Sequence, residues 1–270
     1  MIIGEFRKRK NCIPAMQFFF ALLRPEQPFF CYLYPLKFSP RCMSVILSIE
    51  TATSVCSCAL ARDGELLVAR EDYRGQSHAS LLGLFVHEIM AFARGQNLTP
   101  HAIAVSSGPG SYTGLRIGVS EAKGLSYGLN IPLIALPTPL IMASMMREQA
   151  EEGTLLCPMI DARRMEVYAT FYDRSLHTVR KTAADIVEEG SYAELLAANK
   201  VLFFGNGAEK CKIHLNHPHA LFADEVHPLA SGMIPLAEEA FAAGRFVDSA
   251  YFEPFYLKEF VATVPKNKII

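Results

Sequence analysis

The residues best placed to do chemistry lie in one loop, Ser106-Ser107-Gly108-Pro109-Gly110-Ser111-Tyr112-Thr113-Gly114-Leu115-Arg116-Ile117-Gly118. Glycine allows positive φ and close approach of the backbone to a ligand or a neighbouring strand. The loop sits between the apolar run Ala102 to Val105 and a helical pattern. A loop so placed could turn backbone N–H groups toward an anion at a helix N-terminus, with Gly108, Gly110, Ser111 and Gly114 as its contact residues. Two tests go against this. A Walker A loop needs a lysine after its second glycine, and counting from Gly108 or Gly110 puts Gly114 or Arg116 there. The dinucleotide spacing G-x-G-x-x-G is missed by one residue, and Pro109 removes an N–H donor. The competing reading is a turn that lets the following helix pack tightly. Spacing leaves both open.

Other constellations are weaker. His214-x-x-His217-x-His219 has metal-like spacing, but no cysteine or carboxylate pattern completes it and Pro218 makes it a loop, so no metal site is expected. The chain has no H-E-x-x-H, and Ser111 is one position early for a G-x-S-x-G elbow. Asp161 could act as an acid, base or ligand; a turn residue paired with Arg163 or Arg164 is the plainer reading. Glu50 ends the first strand, where its carboxylate could face a phosphate-bound metal or else cap the turn at Thr51 and Thr53 from the surface.

These residues need elements to hold them. Apolar patterning predicts strands at 45–49, 54–61 and 65–69, with Asp63-Gly64 as a hairpin turn. A helix follows from a Ser77 cap to about Arg94, stopped by Gly95. Next come a strand at 102–106, the glycine loop, a helix at 113–129, a strand at 131–136 and a helix at 138–152. A second unit starts near Leu155 with strands at 155–160, 166–172 and 201–204 and helices at 191–198 and 230–243. A β-rich start and an α/β remainder thus appear twice, without a residue-level repeat. The class is α/β with mixed sheets, in subdomains 43–153 and 154–270.

Two helices are unusual. Helix 77–94 is apolar nearly all round, with Leu81, Leu82, Leu84, Phe85, Val86, Ile89, Met90 and Phe92. Helix 113–129 carries Gly114, Gly118, Gly124 and Gly128, each interior glycine costing about 1 kcal/mol relative to alanine. Something must come close to justify them. Either the helices are sandwiched in a core or they meet a partner, through Leu81, Leu82, Phe85, Ile89, Gly114, Ile117, Gly118 and Gly124. The partner reading is preferred.

Composition fits a globular protein: 51% hydrophobic and 20% charged over 270 residues. Net charge is −1, split as +5 in residues 1–42 and −6 in the remainder. An acidic body is a poor stand-alone ligand for nucleic acid. Seven cysteines without a C-x-x-C pair read as free thiols in a reducing, cytoplasmic setting. Residues 1–42 hold nine aromatics and five prolines without periodicity, and Met16 to Leu23 is too short to cross a bilayer. A native start at Met43 is expected, with 1–42 a disordered tail or a start-site artefact.

Three blocks carry a resemblance: Ile46 to Thr53, Ser107 to Gly118, and Asp161 to Tyr168, with Glu253-Pro254-Phe255-Tyr256-Leu257-Lys258 as a fourth. Together, over about 43–260, they resemble the TsaB (YeaZ) family. The resemblance implies a two-subdomain fold of the actin/hsp70/sugar-kinase, ribonuclease H-like type. It implies a non-catalytic role in making N6-threonylcarbamoyladenosine at position 37 of tRNA, by pairing with a TsaD-type transferase and engaging a TsaE-type ATPase. tRNA would be met through the complex. No cofactor is implied on this subunit alone, with a nucleotide between subunits left open. The catalytic relatives carry a metal-binding His-x-x-x-His where this chain has Leu136 to Met142 without histidine, and Glu50 stands where the family usually has aspartate. The rival reading is a small-molecule kinase or ATPase using Gly108 to Gly114 and Gly205 to Gly207. A homodimer through the same helices is a third.

Overall fold

The computed structural model describes residues 43–75 and 77–258. The expectation about residues 1–42 lies outside them. From Val45 the chain forms β1 (Val45–Glu50), β2 (Cys56–Arg62) and β3 (Glu65–Asp72). Asp63 and Gly64 both take positive φ, +52° and +83°, the conformation a tight hairpin turn demands. There follow α1 (His78–Gly95), β4 (Ala102–Gly108), α2 (Tyr112–Leu129), β5 (Leu133–Pro137) and α3 (Thr138–Met146). The second half runs β6 (Leu155–Asp161), β7 (Glu166–Tyr172), β8 (Thr178–Ile186), α4 (Ala193–Ala198), β9 (Val201–Phe204), β10 (Ala220–Ala223) and α5 (Ile234–Ala242).

Each half builds a five-stranded sheet, in the orders β3-β2-β1-β4-β5 and β8-β7-β6-β9-β10. Directions agree as well as order. β1 is antiparallel to β2 and parallel to β4; β6 is antiparallel to β7 and parallel to β9. The twofold appearance of the sequence is therefore a repeat of topology.

The core follows from alternation. Val45, Leu47 and Ile49 of β1 meet Leu82, Val86 and Ile89 of α1 and Val119 of α2 on one face. Ile46 faces the other way, toward Ala104, Ile134, Ile141 and Leu236 of α5. A strand covered on both sides reads as a continuous apolar run, which β1 does. α3 is apolar on two sides because it packs on both sheets. Ile141 belongs with the first sheet, and Met142 and Met146 with Leu156, Ile160 and Phe204 of the second.

Three expectations are corrected. Helix α3 stops at Met146, since the polar run 147–152 offers no apolar stripe to hold further turns. β8 and β10 were not anticipated: β8 has alanines and charges on a half-buried edge, and β10 has four residues. Ser77 does not cap α1 through its side chain; its hydroxyl donates to Asp72 Oδ2 at 2.5 Å instead.

Candidate functional site

Ser111 is the side-chain cap of α2, its Oγ accepting the Gly114 N–H at 3.2 Å. Its own N–H donates to the Ala52 carbonyl at 2.7 Å, which clamps the glycine loop onto the segment after β1. Gly110, Gly114 and Gly118 all lie against that segment. A Cβ on Gly110 would overlap the Ala52 carbonyl, one on Gly114 the Thr51 carbonyl, and one on Gly118 the Thr51 hydroxyl. The close approach that these glycines serve is internal, so Gly114 and Gly118, both buried, are not on a partner surface. Gly108 has φ +98° and lies under the Phe255 carbonyl.

Glu50 is no surface acid. It is fully buried, and Oε1 accepts the Ala52 N–H at 2.6 Å. Burial pushes its carboxyl up to about 7, with the Ala52 N–H opposing the rise. Oε2 and the hydroxyls of Thr51, Thr53, Ser106 and Thr138 make no well-formed hydrogen bond among the described residues, although the Ser106 side chain stands near enough to the Glu50 carboxyl to oppose the rise as well. These residues sit at the carboxyl ends of β1, β4 and β5. Nothing in their residue types announced a buried polar row, because a strand-end acid ordinarily faces water.

Beside this row a cleft of about 970 Å³ opens, lined by the glycine loop, His78, Asp161 to Arg163, Tyr168 and the C-terminal residues Phe255 to Lys258. Asp161 accepts the Arg163 N–H at 3.1 Å and pairs with Lys210, so the partner expected from Arg163 or Arg164 side chains is a lysine from 46 positions beyond Arg164. The C-terminal segment straps the cleft. Phe255 N–H donates to the Ser107 carbonyl at 2.7 Å, Tyr256 stands 4.8 Å from the Tyr112 ring, and Lys258 pairs with Glu166 on β7. Lys123 of α2 anchors the segment upstream, donating to the carbonyls of Ala250 and Phe252 at 3.1 and 3.0 Å. In the sequence this segment stood out only as a block of the resemblance, Glu253 to Lys258, which gave no sign of where it docks. The histidine loop is elsewhere: His217 Nδ1 accepts the His219 N–H at 3.1 Å, and His219 Nδ1 lies 2.8 Å from the Leu196 carbonyl.

The outer helices divide the remaining candidates. Leu82 and Ile89 are buried in the core and are thereby removed from any docking face. Leu81, Phe85 and Ile117 are half-buried. Leu84 and Phe92, one stripe on α1, are 49% and 37% exposed. On α2, Gly124 and Gly128 have nothing within 4 Å of an added Cβ, and Tyr127 between them is 85% exposed. The outward face is therefore apolar on α1 and small or aromatic on α2.

Known proteins resemble this chain in sequence and fold. A family model described as TsaD, tRNA N6-adenosine threonylcarbamoyltransferase, matches residues 72–221. The tRNA threonylcarbamoyladenosine biosynthesis protein TsaB of Escherichia coli K12 is 31% identical over 224 residues, covering 80% of this chain and 96% of that protein. TsaB of Bacillus subtilis is 34% identical over 47% of this chain and 54% of its own length. A crystal structure from Pseudomonas aeruginosa, described as an uncharacterized protein similar to the peptidase YeaZ, superposes with a TM-score of 0.70 at 26% identity, over 80% of this chain and all of that one. The identity to the Escherichia coli protein over nearly its whole length, together with the shared fold, shows that the chain belongs to the TsaB family.

Proposed function

We propose that this chain is a subunit of the machinery that makes N6-threonylcarbamoyladenosine in tRNA, and that it works by assembly. The outward faces of α1 and α2 hold a TsaD-type transferase, and the pair engages a TsaE-type ATPase in the cytoplasm. The chain itself performs no chemical step. Among the described residues no helix is long and apolar enough to cross a membrane. The observation that carries the assembly role is the exposed face of Leu84, Phe92, Gly124 and Tyr127 on two adjacent helices. Small residues there let a partner helix approach closely while the apolar ones give it area to bury. A stable complex of this kind ordinarily covers about 800 Å² per partner. Its test is co-purification of the full chain with the transferase, comparing wild type with Leu84→Asp and Phe92→Asp. Loss of the complex with an unchanged fold supports the proposal. Undiminished capture by both variants refutes it, and a stable homodimer that excludes the transferase would assign the face to self-association.

A further inference from the structure

We propose that residues 253–258 are a releasable ionic latch, tying the two halves of the chain together across the cleft. The chain itself passes between the halves at 147–154 and again at 224–233. The C-terminal strap makes a third, noncovalent crossing. It leaves the first half, where the Val247 N–H donates to the Leu133 carbonyl of β5 at 2.9 Å and Phe252 packs against the core of β1, α1 and α2. It ends on the second half, where Lys258 pairs with Glu166 at the start of β7.

The two ends of the strap are held unequally. Upstream, Lys123 grips the carbonyls on either side of Tyr251, and Phe252 is half-buried. From Glu253 onward the contacts thin out. Pro254 has no N–H to give. Among the described residues, Phe255 carries the one backbone donor of 253–258 that finds an acceptor, the Ser107 carbonyl. Its side chain is 48% exposed and buries little. A segment with few buried contacts and one backbone bond opens locally at far lower cost than the whole fold.

The ion pair decides where this end rests. The Glu166 side chain is 17% exposed, and Lys258 is its one ion-pair partner among the described residues. Lys210, close by, donates to the Glu166 backbone carbonyl and pairs with Asp161 instead. Release therefore leaves a largely buried carboxylate without its cation, which draws the strap back. Lys258 itself is half-exposed, so dissolved salt reaches the pair and screens it. Release also uncovers Gly108, over which the Phe255 carbonyl lies, and frees β7 from the tie. α3 packs on both sheets and is the pivot about which the halves then open, as a hinge.

The latch goes beyond the assembly role and is measured on the full chain without any partner, so its failure leaves the docking face untouched. Hydrogen exchange read by mass spectrometry follows the strap, the cleft and the core separately. Lys258→Glu and Glu166→Lys should each speed exchange at the Phe255 amide at least about threefold. The glycine loop and the turn between β6 and β7 should speed up with it, while β1 and α1 keep wild-type rates. Combining the two substitutions restores the pair with its charges exchanged and should bring the strap back to within about twofold of wild type. Raising sodium chloride from about 0.05 M to about 1 M should speed strap exchange in the wild type and slow it in Lys258→Glu, where salt screens a repulsion. The proposal is overturned if the strap exchanges alike in the wild type and both single variants, or if the double variant stays as open as the singles. It is equally overturned if the strap opens while the glycine loop and the turn keep wild-type rates, which would make it a tail and not a tie. The salt dependence of the wild type needs no variant, and its absence would overturn the latch even should a substituted chain fail to fold.

Discussion

Thr51 lies directly beneath Gly118, its hydroxyl occupying the space that a side chain on α2 would need. Thr51 is wholly buried and its β-branched side chain is stiff, so it cannot step aside. Gly118→Ala is expected to destabilise the fold by about 1–3 kcal/mol through overpacking. Gly124→Ala, six residues on along the same helix, has open space around it and should stabilise by about 0.5–1 kcal/mol through helix propensity. Urea denaturation of the two variants would show opposite signs. The same Gly124→Ala should weaken transferase capture if the outward face is the docking face.

Leu82 and Leu84 make a second contrast on α1. Leu82 packs in the core with Ile49 and Val86, and Leu82→Ala should cost about 2–5 kcal/mol by opening a cavity. Leu84 is half-exposed, and Leu84→Ala should change stability by no more than about 0.5 kcal/mol. Thermal melts would separate them, and a partner-binding loss confined to Leu84→Ala would mark it as a contact.

What the sequence made legible follows the strength of local signals. β1, β4 and β6 are doubly covered and announce themselves as apolar runs. α1 was visible from its long apolar stretch and the Gly95 that stops it, and α2 from its helical pattern, while Ser111 as its cap emerged only from the structure. The faces of those helices were not visible, because α1 is apolar on both its core side and its outer side, and only packing distinguishes Leu82 from Leu84. Gly114 and Gly118 suggested a partner for a sound reason, that something must come close. The close neighbour is Thr51, more than sixty residues earlier, and no helical pattern reports that. β8 was missed because Arg180 and Lys181 break its alternation; the structure spends Arg180 on a two-pronged contact with Asp185 at 2.7 Å. The cleft itself was illegible, since Arg163 and the glycine loop meet only through the fold.

Cysteine chemistry gives a further check. Cys56, Cys58, Cys157 and Cys211 are buried and free. Burial pushes the Cys56 thiol up to about 11 and raises Cys58, Cys157 and Cys211 as well. The thiolate is the reactive form, so all four should resist iodoacetamide at pH 8 in the native protein and react fully in denaturant. Peptide mass spectrometry reads each site. Rapid native labelling of any of the four would show that its strand opens readily.

Glu50 offers a pH test with a definite sign. Its carboxyl titrates near 4.5 in a solvated reference state and near 7 when buried. Between those values the folded protein holds a proton that the unfolded chain has lost. Stability from this group is therefore full below about pH 4.5, falls as pH rises to 7, and stays lost above it. The shift amounts to about 3 kcal/mol. Glu50→Gln keeps an acceptor for the Ala52 N–H and cannot ionise, so its stability should lack this decline. Denaturant titrations at pH 5 and pH 8 should show the variant gaining on wild type at the higher pH, by up to about 3 kcal/mol less the cost of placing an amide beside Ser106. An equal difference at both pH values would mean that Glu50 is ionised in the fold throughout, and that water or a donor reaches Oε2.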